Sequence, residues 1–166
     1  MNIHLGYRPG CIGRIAELHA SFYSRTVDFG VAFEARVATE LSQFCLDYTS
    51  GRDGLWLAEE DGMLHGSVAI DGAHYPASGA HLRWFITSDA SRGKGLGTRL
   101  LDAAMAFCEA AGYQRVHLWT FDGLHAARHL YEKQGFRLSR SHRGTQWGKE
   151  VNEQLFTWGD AAPATP

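Results

Sequence analysis

With 166 residues, 45% hydrophobic and 20% charged, the chain has the length and balance of one compact soluble domain with a real core. A formal net charge of -2 supplies no field that would hold a polyanion, which excludes broad nucleic-acid binding on composition and makes any anion recognition local. Three widely spaced cysteines without a CxxC pair, no signal-like N-terminus and no apolar run near the roughly 18 residues of a membrane span lead us to expect reduced thiols in a cytoplasmic protein.

The first strand is expected in "NIHLGY", 2–7, where Arg8-Pro9-Gly10 stops it. Ile12, Ile15, Ala16, Leu18 and His19 then give an apolar helical stripe over 11–24. A second stripe, Phe33, Val37, Leu41 and Phe44, follows a break near Asp28-Phe29-Gly30. "GLWLAEE" and "MLHGSVAI" flank Asp61-Gly62, the strongest short hairpin signal in the chain. "AHLRWFI", 80–86, is the next strand, reached through the turn-rich "DGAHYPASG". Leu96, Leu100, Leu101, Ala104, Phe107, Cys108 and Ala111 share one helical face that Gly112 can cap. "RVHLWTF", 115–121, is apolar on nearly both faces, as a covered central strand should be. A strand, a helix and a strand in that order form a right-handed crossover, so 80–86 and 115–121 should be parallel within an otherwise antiparallel sheet. A short helix over 123–134, then "FRLSRSH" and "NEQLFTW", complete a domain expected to span 1–160, with 161–166 as a frayed, flexible tail.

The segment "SRGKGLGT" joins a strand to a helix and concentrates Gly93, Gly95 and Gly97 with Arg92, Lys94 and Arg99. Unpaired N–H groups and the dipole at such a helix start attract an anion, and glycine removes side chains that would hold a bulky diphosphate away. A Walker loop would need Ser or Thr after Lys94, where Gly95 stands, and a dinucleotide fingerprint would need glycine at Leu100. His125 and His129 are spaced like a metal pair, but Ala126 stands where a zinc peptidase has glutamate, and no metal is expected. Arg83, between Leu82 and Trp84, suits either an acceptor carboxylate or a structural ion pair.

Arg92-Gly93-Lys94-Gly95-Leu96-Gly97 resembles the Arg/Gln-x-x-Gly-x-Gly/Ala signature of the GCN5-related N-acetyltransferases (GNAT). Thr98-Arg99-Leu100-Leu101 continues their helix, and "AARHLYEKQGF", 126–136, is similar to the family's later alanine, tyrosine and Gly-Phe segment. The likeness covers residues 2–158. The stretch "LRWFI…RGKGLG" also resembles acetyltransferase modules fused behind a MarR-type DNA-binding domain, for which this chain is expected to have no room. Asp89 stands where many relatives have proline, and Leu124 where many have an asparagine that touches the cofactor.

The resemblance implies an α/β (α+β) GNAT fold, with a mixed, mostly antiparallel sheet of six to seven strands and about four flanking helices. Its parallel fourth and fifth strands splay around acetyl-CoA. It implies cofactor contact at Phe85, Ile86 and Thr87 along the fourth strand and at Arg92, Gly93, Lys94, Gly95, Leu96, Gly97 and Thr98 around the pyrophosphate. An amine attacks the thioester directly, a backbone N–H of the fourth strand holds the oxyanion, and Tyr131 gives a proton to the departing thiolate. The ammonium must first lose its proton, its pKa being about 10.4. Glu34 on the second helix is the candidate base, with Glu59, Glu60 and His81 as further candidates. The expected partner is a small-molecule or peptide amine, with no nucleic acid and no membrane, and a homodimer is compatible with the reading. Two alternatives share the glycine corner: an acetyl-CoA sensor without turnover, and a polyphosphate-binding protein that would take ADP as readily as CoA.

Overall fold

The computed structural model describes residues 1–159, and the tail expected at 161–166 lies outside the described residues. The chain runs β1 (Asn2–Leu5), α1 (Cys11–Val27), α2 (Val31–Asp47), β2 (Gly54–Glu60), β3 (Met63–Asp71), β4 (Ala80–Thr87), a 3₁₀ turn (Asp89–Ser91), α3 (Leu96–Ala110), β5 (Arg115–Phe121), α4 (His125–Lys133), β6 (Arg137–Gly144) and β7 (Val151–Gly159). Helix α1 runs three residues beyond the expected stripe and stops at Asp28. That residue takes a left-handed conformation (φ 59°); its N–H donates to the Ser24 carbonyl and the N–H of Phe29 to the Tyr23 carbonyl. Asp61 and Gly62 both have positive φ, 51° and 75°, the geometry that a two-residue hairpin needs to match strand twist. Among the described residues, no helix is long and apolar enough to cross a membrane.

One seven-stranded sheet has the order β1-β2-β3-β4-β5-β7-β6. Every neighbouring pair is antiparallel except β4 and β5, as the crossover rule requires. Two apolar clusters cover its faces. Leu100, Leu101, Ala104 and Cys108 of α3 pack with Val68, Ile70, Leu82, Val116, Leu118 and Phe156 on one side. Ile15 of α1 and Phe33, Val37, Leu41 and Phe44 of α2 pack with Leu55, Leu57 and Phe121 on the other. Side chains as fully buried as Ile15, Leu41, Leu100 and Phe156 contribute about 1.5–3 kcal/mol each, so the two clusters hold the helices against the sheet.

Two departures from regular pairing shape the centre. Strands β4 and β5 are in register only at Ala80↔Val116 and His81↔His117, after which they separate. On the other edge of β4, Ser67 faces Ile86 while Ala69 faces Arg83, so β4 carries one more residue than β3 over this stretch. The extra residue lies at Trp84, whose φ of 48° is rare for a bulky side chain, and the Ser67 hydroxyl donates to its carbonyl at 2.7 Å. The bulge resets the alternation: Leu82 and Phe85 belong to the α3 cluster, whereas Trp84 joins the α1/α2 cluster.

Candidate active site

The glycine corner follows β4 and its 3₁₀ turn. Gly93 (φ 72°) and Gly95 (φ 74°) are left-handed and exposed, and no side chain caps α3. The N–H groups of Gly93, Gly95, Leu96, Gly97 and Thr98 have no hydrogen-bond partner among the described residues. A Cβ on Gly93 or Gly95 would meet only open space, so the N–H row has clear space above it for a bulky anion. Gly97 has a different reason from the one its spacing suggests. A Cβ there would lie 2.9 Å from Leu130 Cδ1 and 3.3 Å from Phe85 Cζ, so this glycine lets α3 approach α4 and β4 closely. Leu96 buries its side chain and offers the corner only its N–H. Asp89 does more than alter the turn, because its carboxylate pairs with Arg92 at 3.2 Å and with Arg25 of α1 at 3.0 Å. Arg92 also lies over the Phe22 ring at 4.8 Å, while Lys94 and Arg99 point to solvent.

From the corner the divergence of β4 and β5 opens into a cleft of about 300 Å³. Phe85 of β4 and Tyr131 of α4 meet there edge-to-face at 5.7 Å, so the sequence-predicted Phe85, Thr87, Gly97 and Tyr131 come together from three segments. Tyr131 is 7% exposed, with Phe136 and Phe156 around its ring, and nothing among the described residues hydrogen-bonds its hydroxyl. Burial, with a smaller contribution from neighbouring Tyr23, pushes its phenol far above the ordinary tyrosine range. It is therefore neutral and able to donate at every working pH. Ile86 is buried and Thr87 half-buried, and both pair with β3 on the strand's other edge.

The expected bases separate. Glu34 is exposed and is not part of the cleft wall, for a geometric reason. Phe33 and Val37 fix the buried face of α2, and Glu40, rotated about 120° from Glu34 around the helix, is the carboxylate that α2 delivers to the cleft. Glu59 is held by Arg8 and Arg14, and Glu60 by the N-terminal amine, on the β1–β2 edge. His81 does line the cleft, stacked on His117 at 4.5 Å, and burial followed by His117 and Arg83 holds it well below the usual histidine range.

Sequence reasoning missed His19 as a cleft residue because it fits an apolar stripe. Its Nδ1–H donates to the Ile15 carbonyl at 2.8 Å, which leaves Nε2 as an acceptor, and burial lowers its pKa to about 4. Arg83 is resolved as a structural pair: it bonds Glu40, and Asp71 at 3.4 Å. Arg36 shares Glu40 at 3.0 Å and donates to the Gln146 carbonyl, bridging α2 to the β6–β7 loop in the cleft wall. His125 and His129 are exposed on α4, outside the cleft.

Residues 14–136 match the acetyltransferase (GNAT) family. No curated protein matches the chain in sequence. Among solved structures, a GNAT-family acetyltransferase from Staphylococcus aureus Mu50 superposes with TM-score 0.76 at 17% identity, over 95% of this chain and 99% of that one. Salmonella typhimurium yncA, solved with its cofactor acetyl-CoA, gives 0.69 at 17% identity, over 100% and 98%. A ribosomal-protein-alanine N-acetyltransferase from Brucella melitensis gives 0.73 at 15% identity, over 96% and 99%. At these identities the likeness concerns the fold.

Proposed function

The chain belongs to the acetyltransferase (GNAT) family, enzymes that take their acyl group from acetyl-CoA, and from this premise we propose that it acetylates a primary amine by direct attack, within a single domain spanning residues 1–160. The observation that carries the reading is the set of free N–H groups at Gly93 and at Gly95 to Thr98, close to a cleft where the Tyr131 hydroxyl has no partner among the described residues. The row and its glycines fit a pyrophosphate, with Arg92 and Lys94 adding charge. Phe85, Ile86 and Thr87 offer backbone groups to the rest of the cofactor where β4 has parted from β5. When bound, acetyl-CoA supplies an electrophilic thioester carbon and a thiolate leaving group.

The remaining roles fall to residues of the chain. The bulge at Trp84 breaks the β4 ladder next to the opening, and a β4 N–H freed there would be the donor that developing negative charge needs. The Tyr131 hydroxyl holds its proton for the sulfur. Proton removal from the acceptor needs no dedicated carboxylate, and Glu34 lies outside the cleft that would need one. The guanidinium groups of Arg36 and Arg83 in the cleft wall disfavour the ammonium form, so the amine gives its proton to water on entry, with the neutral imidazole of His81 beside its path. The relation to modules fused to MarR-type regulators concerns this same domain, and no regulator is part of the proposed activity.

The test is release of CoA thiol from acetyl-CoA across a panel of amines, with CoA and ADP binding measured in parallel. Amine-dependent release with CoA preferred over ADP is expected. CoA binding with no release would make the chain a sensor, and equal affinity for ADP would make it a polyphosphate binder. A product labile to mild hydroxylamine would identify an ester and exclude an amine acceptor.

A further inference from the structure

The acceptor end of the cleft has a chemistry of its own. Rings from four elements and a loop line it, Tyr23, Phe33, Trp84, Trp119, Phe121 and Trp147, alongside the charged and polar side chains of Arg36, Glu40, His81 and Arg83. The rings pack on one another, Tyr23 against Phe33 at 5.2 Å and Phe121 at 5.8 Å, and Trp147 against Phe121 at 5.5 Å and Phe29 at 6.4 Å. The loop that carries Trp147 is fixed to the helices. Lys149 Nζ donates to the Val27 carbonyl at 2.8 Å, Arg36 donates to the Gln146 carbonyl, and a Cβ on Gly148 would lie 2.7 Å from Ala32 Cβ. The aromatic wall is therefore preformed.

The charged groups at the mouth are already paired. Arg83 is shared by Glu40 and Asp71, Arg36 is held by Glu40 and Gln146, and the Arg83 guanidinium also covers the Trp84 ring at 4.2 Å. Two arginines thus meet two carboxylates, so the charges at this end compensate one another and leave no net charge to attract a second charged group on the acceptor. The bond from Arg36 to the Gln146 carbonyl ties α2 to the β6–β7 loop within the cleft wall. A cleft of about 300 Å³ also lies at the small end of ligand sites.

We propose that the acceptor is a small primary amine attached to an aromatic or similarly flat apolar group and bearing no second charge, its ring lying against the packed Trp147–Phe121 pair and Trp119. The inference rests on the acetyltransferase reading for the site it describes, and it specifies what that site accepts.

Because three tryptophans line the cleft, binding can be read from intrinsic fluorescence and calorimetry without turnover. The probes are 2-phenylethylamine, phenylalanine, spermidine and a short alanine-headed peptide, each titrated into protein saturated with CoA. We expect 2-phenylethylamine to bind at least about tenfold more tightly than the other three. Trp147→Ala should weaken that binding about tenfold, Trp147→Phe should restore most of it, and CoA affinity should stay unchanged in both. Phenylalanine, spermidine or the peptide binding as tightly as 2-phenylethylamine would overturn the proposal, as would unchanged binding in a folded Trp147→Ala variant. Selective binding without thiol release would overturn the transfer reading alone. Thiol release without selectivity would overturn this inference alone.

Discussion

Tyr131 carries the sharpest expectation at the level of single residues. Its ring is packed by Phe85, Phe136 and Phe156, so Tyr131→Phe keeps the packing and removes only the hydroxyl. We expect kcat to fall by about 10²- to 10⁴-fold with KM for acetyl-CoA nearly unchanged, measured under conditions where chemistry limits the rate. A phenol of ordinary pKa near 10 would also produce a falling limb at high pH, but burial moves that ionisation above the range in which rates are measured. Wild type and variant should therefore both lack it. The rising limb of kcat/KM should instead follow the pKa of whichever amine is supplied; a limb that stays fixed as the amine changes would reveal an enzyme base. Tyr131 was legible in the sequence because a motif fixed its distance from Gly135-Phe136. A helical stripe reveals which side chains of α2 are buried, not which flank faces a gap in the sheet, so the sequence could not separate Glu34 from Glu40, which lines the cleft.

Among the elements, the start of α3 and the bulge in β4 set the site's shape. Gly95 lies beneath the open space above the N–H row and takes a left-handed conformation that asparagine tolerates. Gly95→Asn should change stability by under about 1 kcal/mol while lowering CoA affinity several-fold by calorimetry, because its side chain fills the space intended for the anion. Gly97→Glu should also weaken CoA binding, but it strikes Leu130 and Phe85 as well, so its denaturation midpoint must fall too. At the bulge, Ser67→Ala removes the bond that fixes the Trp84 carbonyl in a fully buried setting. A loss of about 1–3 kcal/mol in urea denaturation is expected, together with a lower kcat in the folded fraction, if the bulge aims a donor at the reacting carbonyl. The order and direction of the elements could be read from the sequence, since Asp61-Gly62, the α3 stripe and the crossover rule each act locally. The bulge could not. "AHLRWFI" alternates as a regular strand would, and the extra residue becomes visible only against β3.

For the molecule as a whole, buried imidazoles link stability to pH. His19 is lowered to about 4, and His81 and His117 are also depressed, chiefly by burial. Below about pH 6.5 the unfolded chain binds protons that the folded chain refuses, so stability falls as pH drops, by about 1.4 kcal/mol per unit for each such group until its folded pKa is reached. Urea denaturation at pH 7 and pH 5 should show the loss, and His19→Gln should reduce it by up to about 2 kcal/mol.

The short pairing of β4 with β5 has a further consequence. The sheet is a book of two leaves, β1 to β4 and β5 to β7 with β6, bound along a spine only two residue pairs long. Breathing about that spine widens the gap at its far end first, and a ligand wedged between the leaves takes over the role of the missing rungs. Amide hydrogen exchange should register this as protection gained with CoA by the β5-facing amides of β4 after His81, while Ala80, His81, Val116 and His117, which pair across the spine, should exchange slowly with or without it. The donor would then complete the sheet that it reacts in, and its departure as free CoA would return the leaves to their looser state, ready to admit the next pair of substrates.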